Sequence, residues 1–498
     1  MNLICLHWIA FSSNLFAPET STTLSLFLLR YGANECGATF RFHTKPKSII
    51  GNVLAELSEV SWQGRLADWL APFLDHLRHS SQKHWAPVYL WGLLGPGERK
   101  SIEPMADRVA PGAFQQLHHF ISASTWRPEP LELELVRKAQ DLVGGVDAVL
   151  AIDDTALVKQ GSESVGVAHQ YCGQLGKQAT CQVLVSLTLA RREVPVCVGL
   201  RPFLPETWAR DMDRRLRAGV PLPVEFQPKW RIALEEIDRV RFAGAVFGCV
   251  AADAEYGKVA QFRAGLAERG LRYAVGIPST QTVYPADVTL EPARRSPTGR
   301  PAKHPVPSVE ARTVAETITA LPAHAWRFVS WRTGTKGRLR ARFVALPVRV
   351  ADGARLRTGR RLPGSAAWLV CEQRTPDERR YYLTNHPEDT PLAAVAADIK
   401  ARWVCEQGHQ QMKEELGLDH LECRNWTALR HHTVLTMIAL CFLQHVRLGE
   451  KRCRDNAWSG PPPQPTLPQI RRQIMKEMLG AIVRCPCCHT LIPYYPRL

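Results

Sequence analysis

Ala148-Val149-Leu150-Ala151-Ile152-Asp153-Asp154-Thr155 is an apolar run that stops at two carboxylates. A continuous apolar segment of this length reads as a strand buried on both faces, the kind found at the centre of a parallel sheet. A second run, Ala245 to Ala251, ends in the same way at Ala252-Asp253. Polar side chains at the ends of such strands are where α/β sheets bind their ligands. Side chains alternate along a strand, so only one of Asp153 and Asp154 faces a given site. Asp154 is favoured and Asp153 is its alternative. Taken singly, each of these acids also reads as a turn or helix cap.

The flanking sequence places the two runs in order. Ser164 to Tyr171 and Gln182 to Leu189 are rich in strand formers and are separated by Cys172-Gly173-Gln174-Leu175-Gly176-Lys177. With the first run they make a three-stranded meander. Helical patterns run from about Lys229 to Arg241 and from near Tyr256-Gly257 to about Glu268, and Arg272 to Ile277 is a further strand. Three strands, helix, strand, helix, strand is the order expected of a ribonuclease-H-like core, so the fold class is α/β.

The other decisive stretch is Arg402-Trp403-Val404-Cys405-Glu406-Gln407-Gly408-His409-Gln410-Gln411-Met412-Lys413. Good helix formers without Pro run from Leu392 to Leu416, which predicts one helix. Arg402, Glu406, His409 and Lys413 follow at spacings of four, three and four, so they share a face. Alone, that face is a solvated stripe with an Arg402–Glu406 ion pair, or one wall of a site for a metal and a phosphate. Leu429 to Leu448 reads as a second long helix.

Working outward, residues 1–48 show no clear period and read as an extension of uncertain role. Residues 49–143 carry apolar residues at mixed threes and fours and predict a helical domain, DNA-reading or supporting. Residues 144–277 and 389–450 form the two parts of the core. Residues 278–388 form an insertion with β-type runs at Ala325 to Trp331, Leu339 to Val350, Ala366 to Glu372 and Arg380 to Leu383. Residues 451–498 are a Pro-rich tail with one short helix and the cluster Cys485, Cys487, Cys488 and His489, which is half a zinc site or a set of ordinary thiols.

Composition narrows the partners. With 63 Lys and Arg against 47 Asp and Glu the net charge is +16, and residues 291–361 alone hold 16 basic and four acidic residues. A concentrated basic segment points to nucleic acid. Arg332, Lys336, Arg338 and Arg340 beside Trp326 and Trp331 make a strip suited to backbone contact and base stacking, unless the tryptophans are insertion core. The 14 Cys lack a disulfide framework, and no apolar run is long enough for a membrane span, so a cytoplasmic location is expected.

Three carboxylates, Asp154, Asp253 and Glu406, suffice to hold two Mg²⁺ or Mn²⁺ ions for phosphodiester cleavage. That expectation requires Glu406 to lie within metal-bridging distance of both aspartates.

At these residues the chain resembles the DDE transposases of bacterial insertion sequences. Ala151 to Thr155, Val250 to Gly257 and Arg402 to Lys413 carry the resemblance. In one subgroup a β-rich insertion separates the second Asp from the Glu, and the signature is Tyr-x2-Arg-x3-Glu-x6-Lys. Arg402, Glu406 and Lys413 match it, and Ile399 stands where the Tyr is expected. The resemblance implies metal-dependent cleavage at terminal inverted repeats and strand transfer into target DNA. It makes Asp154, Asp253 and Glu406 the metal ligands and Arg402 and Lys413 phosphate contacts, with His409 a weaker candidate. It also implies double-stranded DNA as partner and a homodimer when two DNA ends are paired. A catalytically inactive DNA-binding descendant is the alternative.

Overall fold

Strand pairing organises the chain around the first apolar run. In the computed structural model the described residues are 62–292, 305–334, 337–356, 359–449, 465–479, 482–484 and 491–493. The chain divides into Met1–Gly64 and Arg65–Leu498. The first unit lies outside the described residues except for Trp62 to Gly64, so the extension expected over residues 1–48 is outside them, as are Lys336 and Cys485 to His489.

Five helices come first: α1 (Trp62–Leu74), α2 (Ser80–Leu94), α3 (Ile102–Val109), α4 (Phe114–Ser122) and α5 (Pro128–Val143). Then follow β1 (Val149–Val158), β2 (Ala168–Cys172), β3 (Lys177–Arg191) and β4 (Val194–Pro202). Short helices α6 (Glu206–Ala209) and α7 (Met212–Arg217) lead to α8 (Lys229–Phe242), β5 (Cys249–Ala252), α9 (Ala254–Gly257), α10 (Ala260–Glu268) and β6 (Tyr273–Ile277).

β1 pairs in parallel with β5 and antiparallel with β3, and β5 pairs in parallel with β6. Parallel neighbours need crossover connections, which α8 and the α9–α10 pair provide. All four residues of β5 and all five of β6 are buried, which accounts for their continuous apolar composition.

The next segment adds β7 (Thr282–Pro285), β8 (Leu290–Glu291), β9 (Val306–Pro307), β10 (Arg312–Thr313), α11 (Val314–Thr319), β11 (Arg327–Gly334), β12 (Gly337–Val350), β13 (Ala366–Gln373) and β14 (Arg379–Thr384). These strands do not all stand apart from the core. β14 pairs antiparallel with β6, so a single 12-stranded sheet runs β10-β7-β12-β13-β14-β6-β5-β1-β3-β2, with β11 on β12 and β4 on β3. Two helices, α12 (Leu392–Ala401) and α13 (Trp403–Glu414), return the chain to the centre. α14 (Trp426–Leu448) is buried along nearly its whole length, and α15 (Leu467–Leu479) follows.

Three expectations are corrected. β1 does not stop at the aspartates but continues to Val158 on its β3 side. The helix over 392–416 is broken at Arg402 into α12 and α13. The meander has a fourth strand, β4, absent from the sequence reading. α12 packs its Val395, Ala396 and Ile399 against Val149, Cys249, Ala251 and Ala274 of the core and Val329, Phe343 and Val370 of the later strands. Ile399 is therefore a core residue.

Candidate active site

The β1–β5 ladder ends at Ile152 opposite Ala252. The next residue on each strand is an aspartate, Asp153 on β1 and Asp253 after β5. One strand continues and the other turns into a helix, which opens the sheet edge at that point. Asp253 caps the turn: its Oδ1 accepts from Glu255 N–H at 3.0 Å and Tyr256 N–H at 3.3 Å. The cap reading and the site reading thus hold together for this residue. A Cβ at Gly257 would fall 1.9 Å from the Gly276 carbonyl oxygen, so glycine is what allows α9 to press against β6.

The two β1 aspartates meet different elements. Asp153 faces α13: its Oδ2 accepts from Arg402 Nη1 at 2.7 Å and from the Cys405 thiol at 3.2 Å, and its Oδ1 accepts from Asp154 N–H at 2.8 Å. Asp154 faces α8 and α9: its Oδ2 lies 2.6 Å from Lys229 Nζ and its Oδ1 accepts from the Tyr256 hydroxyl at 2.7 Å. Burial, then Asp153, push the Asp253 carboxyl up to about 6; Asp154 adds to the rise, while Arg402 and the Tyr256 N–H oppose it.

Glu406 is half exposed at 48% and pairs with Arg402 Nη2 at 2.5 Å. Arg402 thus bridges Asp153 and Glu406. Arg402 is also within electrostatic reach of Asp253. Among the described residues, a separate trio of metal-type groups, Cys249, His386 and Asp398, lies within 4.8 Å of one another. A guanidinium between two carboxylates satisfies both.

The other helix-face residues divide. His409 is buried and bonds Ser186 Oγ at 2.6 Å, and burial lowers it to about 4, so it is a neutral core residue rather than a phosphate contact. Lys413 donates to the Ala156 carbonyl at 2.7 Å and Gln174 Oε1 at 3.0 Å, pinning the end of α13 to β1.

The basic-aromatic strip splits between two sheet faces. Phe328, Arg342, Gln373 and Arg379 are successive cross-strand partners, so they form one row across β11 to β14. Arg340 and Arg338 continue that face along β12 and are exposed. Arg342 and Arg379 both stand 5.6 Å from the Trp326 ring. Trp331 instead packs edge-on to Phe343 at 5.9 Å, and Arg332 pairs with Glu193. Those two residues thus pack and ion-pair within the protein, while Arg342, Arg379 and Phe328 share the face of Arg338 and Arg340.

The carboxylate oxygens gathered here are the donor type that hard divalent cations such as Mg²⁺ and Mn²⁺ take, with the Cys405 thiol hydrogen-bonded to Asp153 beside them. The raised Asp253 carboxyl reflects its burial first and the neighbouring Asp153 carboxylate second. Sequence reasoning missed Lys229, Tyr256 and Cys405. Tyr256 had a signal, three residues after Asp253 on the capped turn; Lys229 had none, because its approach to Asp154 is set by α8 packing across the sheet.

Comparison with known proteins adds to this geometry. The DDE superfamily endonuclease family matches residues 72–338, which include Asp153, Asp154 and Asp253 and stop before Glu406. A "Probable transposase for insertion sequence element IS701" from Microchaete diplosiphon is 31% identical over 194 residues, 39% of this chain and 48% of that relative. The match thus spans about half the length of the relative. Among the described residues no helix is long and apolar enough to cross a membrane.

Proposed function

We propose that this chain, which belongs to the DDE superfamily endonuclease family, is a DNA transposase that cuts at the terminal inverted repeats of an insertion sequence and transfers the cut strand into target DNA. The observation that carries the reading is the carboxylate cluster where the β1–β5 ladder ends, joined through Arg402 to Glu406. The relative's printed name supports the same reading. In this reading the sheet from β1 to β6 is a ribonuclease-H-like core, and the strands from β7 to β14 are the subgroup's insertion.

Asp154, Asp253 and Glu406 would hold two Mg²⁺ or Mn²⁺ ions. Bound there, divalent ions supply Lewis-acid activation of water or a 3′-hydroxyl and offset charge on the leaving oxygen. The protein's own part is positional. Tyr256 fixes Asp154, the α9 turn fixes Asp253, and α13 brings Glu406 to the same edge. Release of Glu406 from Arg402 would free its carboxylate for an ion and Arg402 for a DNA phosphate. The exposed face bearing Arg338, Arg340, Arg342 and Arg379 with Phe328 and Trp326 would track the backbone of double-stranded DNA. A homodimer would pair the two element ends.

The test is cleavage of DNA carrying the element ends. Asp154→Asn, Asp253→Asn and Glu406→Gln should each abolish metal-dependent cutting and leave DNA binding largely intact. Normal cutting by Asp253→Asn would overturn the site assignment, and binding without any nicking by the unmodified chain would favour an inactive descendant. Asp153 is a second candidate for the first ligand, because it lies on the α13 side and acts more strongly on Asp253 than Asp154 does. Cutting by Asp154→Asn but not by Asp153→Asn would select it.

A further inference from the structure

Asp154 has two partners of different character. Tyr256 is 2% exposed, its ring lies 5.5 Å from that of Phe262, and its turn is wedged against β6 at Gly257. It cannot leave Oδ1 without repacking the core. Lys229 begins α8, its side chain is 34% exposed, and its Nζ lies 5.3 Å from the Phe203 ring centre. A flexible stem of four carbons lets that ammonium swing away while α8 stays in place.

Asp153 offers no such partner. Its oxygens are taken by Arg402, Cys405 and a backbone N–H, and Arg402 is tied on its other side to Glu406. Of the four oxygens on the two β1 aspartates, Asp154 Oδ2 has the one partner able to depart with little rearrangement. A partly buried carboxylate keeps a counter-charge, because removing it leaves an uncompensated ion. A divalent cation can therefore take that oxygen most readily by displacing the ammonium.

We propose that Lys229 is a positioning residue that holds Asp154 Oδ2 until a divalent cation takes it, and then passes to a DNA phosphate beside the site. The proposal rests on the reading of Asp154 as a metal ligand. Lysine suits the exchange. Its charge is compact and its three donors rotate, whereas an arginine fork would grip both carboxylate oxygens and compete with Tyr256.

The experiment uses the full chain in two measurements. Mn²⁺ binding is titrated calorimetrically without DNA, and binding to double-stranded DNA is measured against salt with Mn²⁺ or with EDTA. Lys229→Met removes the competitor, so Mn²⁺ binds several-fold tighter than to the unmodified chain, while Lys229→Arg binds it no tighter. With Mn²⁺, Lys229→Met lowers the log–log salt slope of DNA binding by about one, the loss of one phosphate contact. With EDTA the slope is unchanged, because Lys229 is then held by Asp154. Lys229→Gln repeats both measurements should the Met variant fold poorly. Unchanged or weaker Mn²⁺ binding in the folded Met or Gln variant overturns the proposal, as does an equal slope change in EDTA. Asp154→Asn separates the two levels of the argument. If it binds Mn²⁺ as the unmodified chain does, the ligand reading itself fails; if it loses Mn²⁺ while Lys229→Met changes nothing, only the role of Lys229 fails.

Discussion

Replacing Asp253 with Asn should make the metal-free protein more stable above neutral pH and leave it unchanged in acid. The Asp253 carboxyl sits at about 6, raised first by burial and then by Asp153. An unfolded Asp titrates near 3.9, and the shift of about two units corresponds to roughly 3 kcal/mol at most; the open side of the site reduces this to about 1–2 kcal/mol. The sign follows from proton binding. The folded state holds the proton more tightly, so the neutral carboxyl's contribution is fully present below about pH 4 and is lost as pH rises through about 6. Asn carries no charge and keeps the cap to Glu255 and Tyr256 N–H, since Asn and Asp cap about equally well. Thermal unfolding of both proteins without divalent ions, from about pH 4 to about pH 8, reads the difference. The variant's advantage should start near zero, grow across the middle of the range and level off at a few degrees. Added Mn²⁺ at the alkaline end should stabilise the unmodified chain and close the gap. An advantage that does not vary with pH, or a variant less stable at the alkaline end, would refute the argument that burial and the neighbouring Asp153 disfavour the ionised Asp253 carboxyl.

Three further outcomes test other parts of the structure. Converting Arg338, Arg340, Arg342 and Arg379 together to Ala should lower the log–log salt slope of DNA binding by about three to four with little loss of stability, read by fluorescence anisotropy; an unchanged slope would remove that face from the interface. His409, His431 and His432 are each lowered to about 4 by burial. Their neutral forms contribute stability that is present above about pH 6.5 and lost as pH falls through about 4, with up to three protons taken up on unfolding, or about 4 kcal/mol per pH unit at most. Replacing all three with Phe or Gln should visibly flatten acid unfolding followed by circular dichroism. Glu132 is 1% exposed and pairs with Arg201 at 2.6 Å and Arg430 at 3.0 Å, joining α5, β4 and α14. Glu132→Ala leaves Arg201 with Glu236 and Arg430 with the more distant, half-exposed Glu129, and should cost roughly 3 kcal/mol in urea unfolding.

The apolar run at Ala148 and the Cys249–Ala252 part of the second run were legible because a strand buried on both faces leaves no room for polar residues; the start at Ala245 was too early, since β5 begins at Cys249 and Val246 is exposed. Their acidic ends were legible for the same reason: the apolar pattern stops where neighbour cover stops. The end of β1 was misread because β3 continues beside it after β5 has turned away, and one strand's sequence does not state how far each neighbour runs. The break at Arg402 was hidden because both helices are built from good helix formers. The division of the basic strip was hidden by a bulge between Ser330 and Arg332, which shifts the alternation that sequence counting assumes. β14 joining β6 was equally invisible, since strand partners far apart in sequence leave no local mark.

What the contacts add to the motif is charge balance. Asp153, Asp154, Asp253 and Glu406 gather at one sheet edge, and the cations contacting them are Arg402 and Lys229. Four carboxylates against two cations leave two negative charges once Asp253 has ionised, the charge that one divalent ion offsets. A DNA phosphate brought to the same edge adds a further negative charge and draws Arg402 and Lys229 toward itself, so a second divalent ion is then needed to hold the carboxylates together. On this argument the two-ion site is completed by the substrate. Calorimetry should find Mn²⁺ binding with a stoichiometry near one to the free chain and near two when DNA carrying the element ends is present; two tight ions on the free chain would show that the substrate is not needed to complete the site.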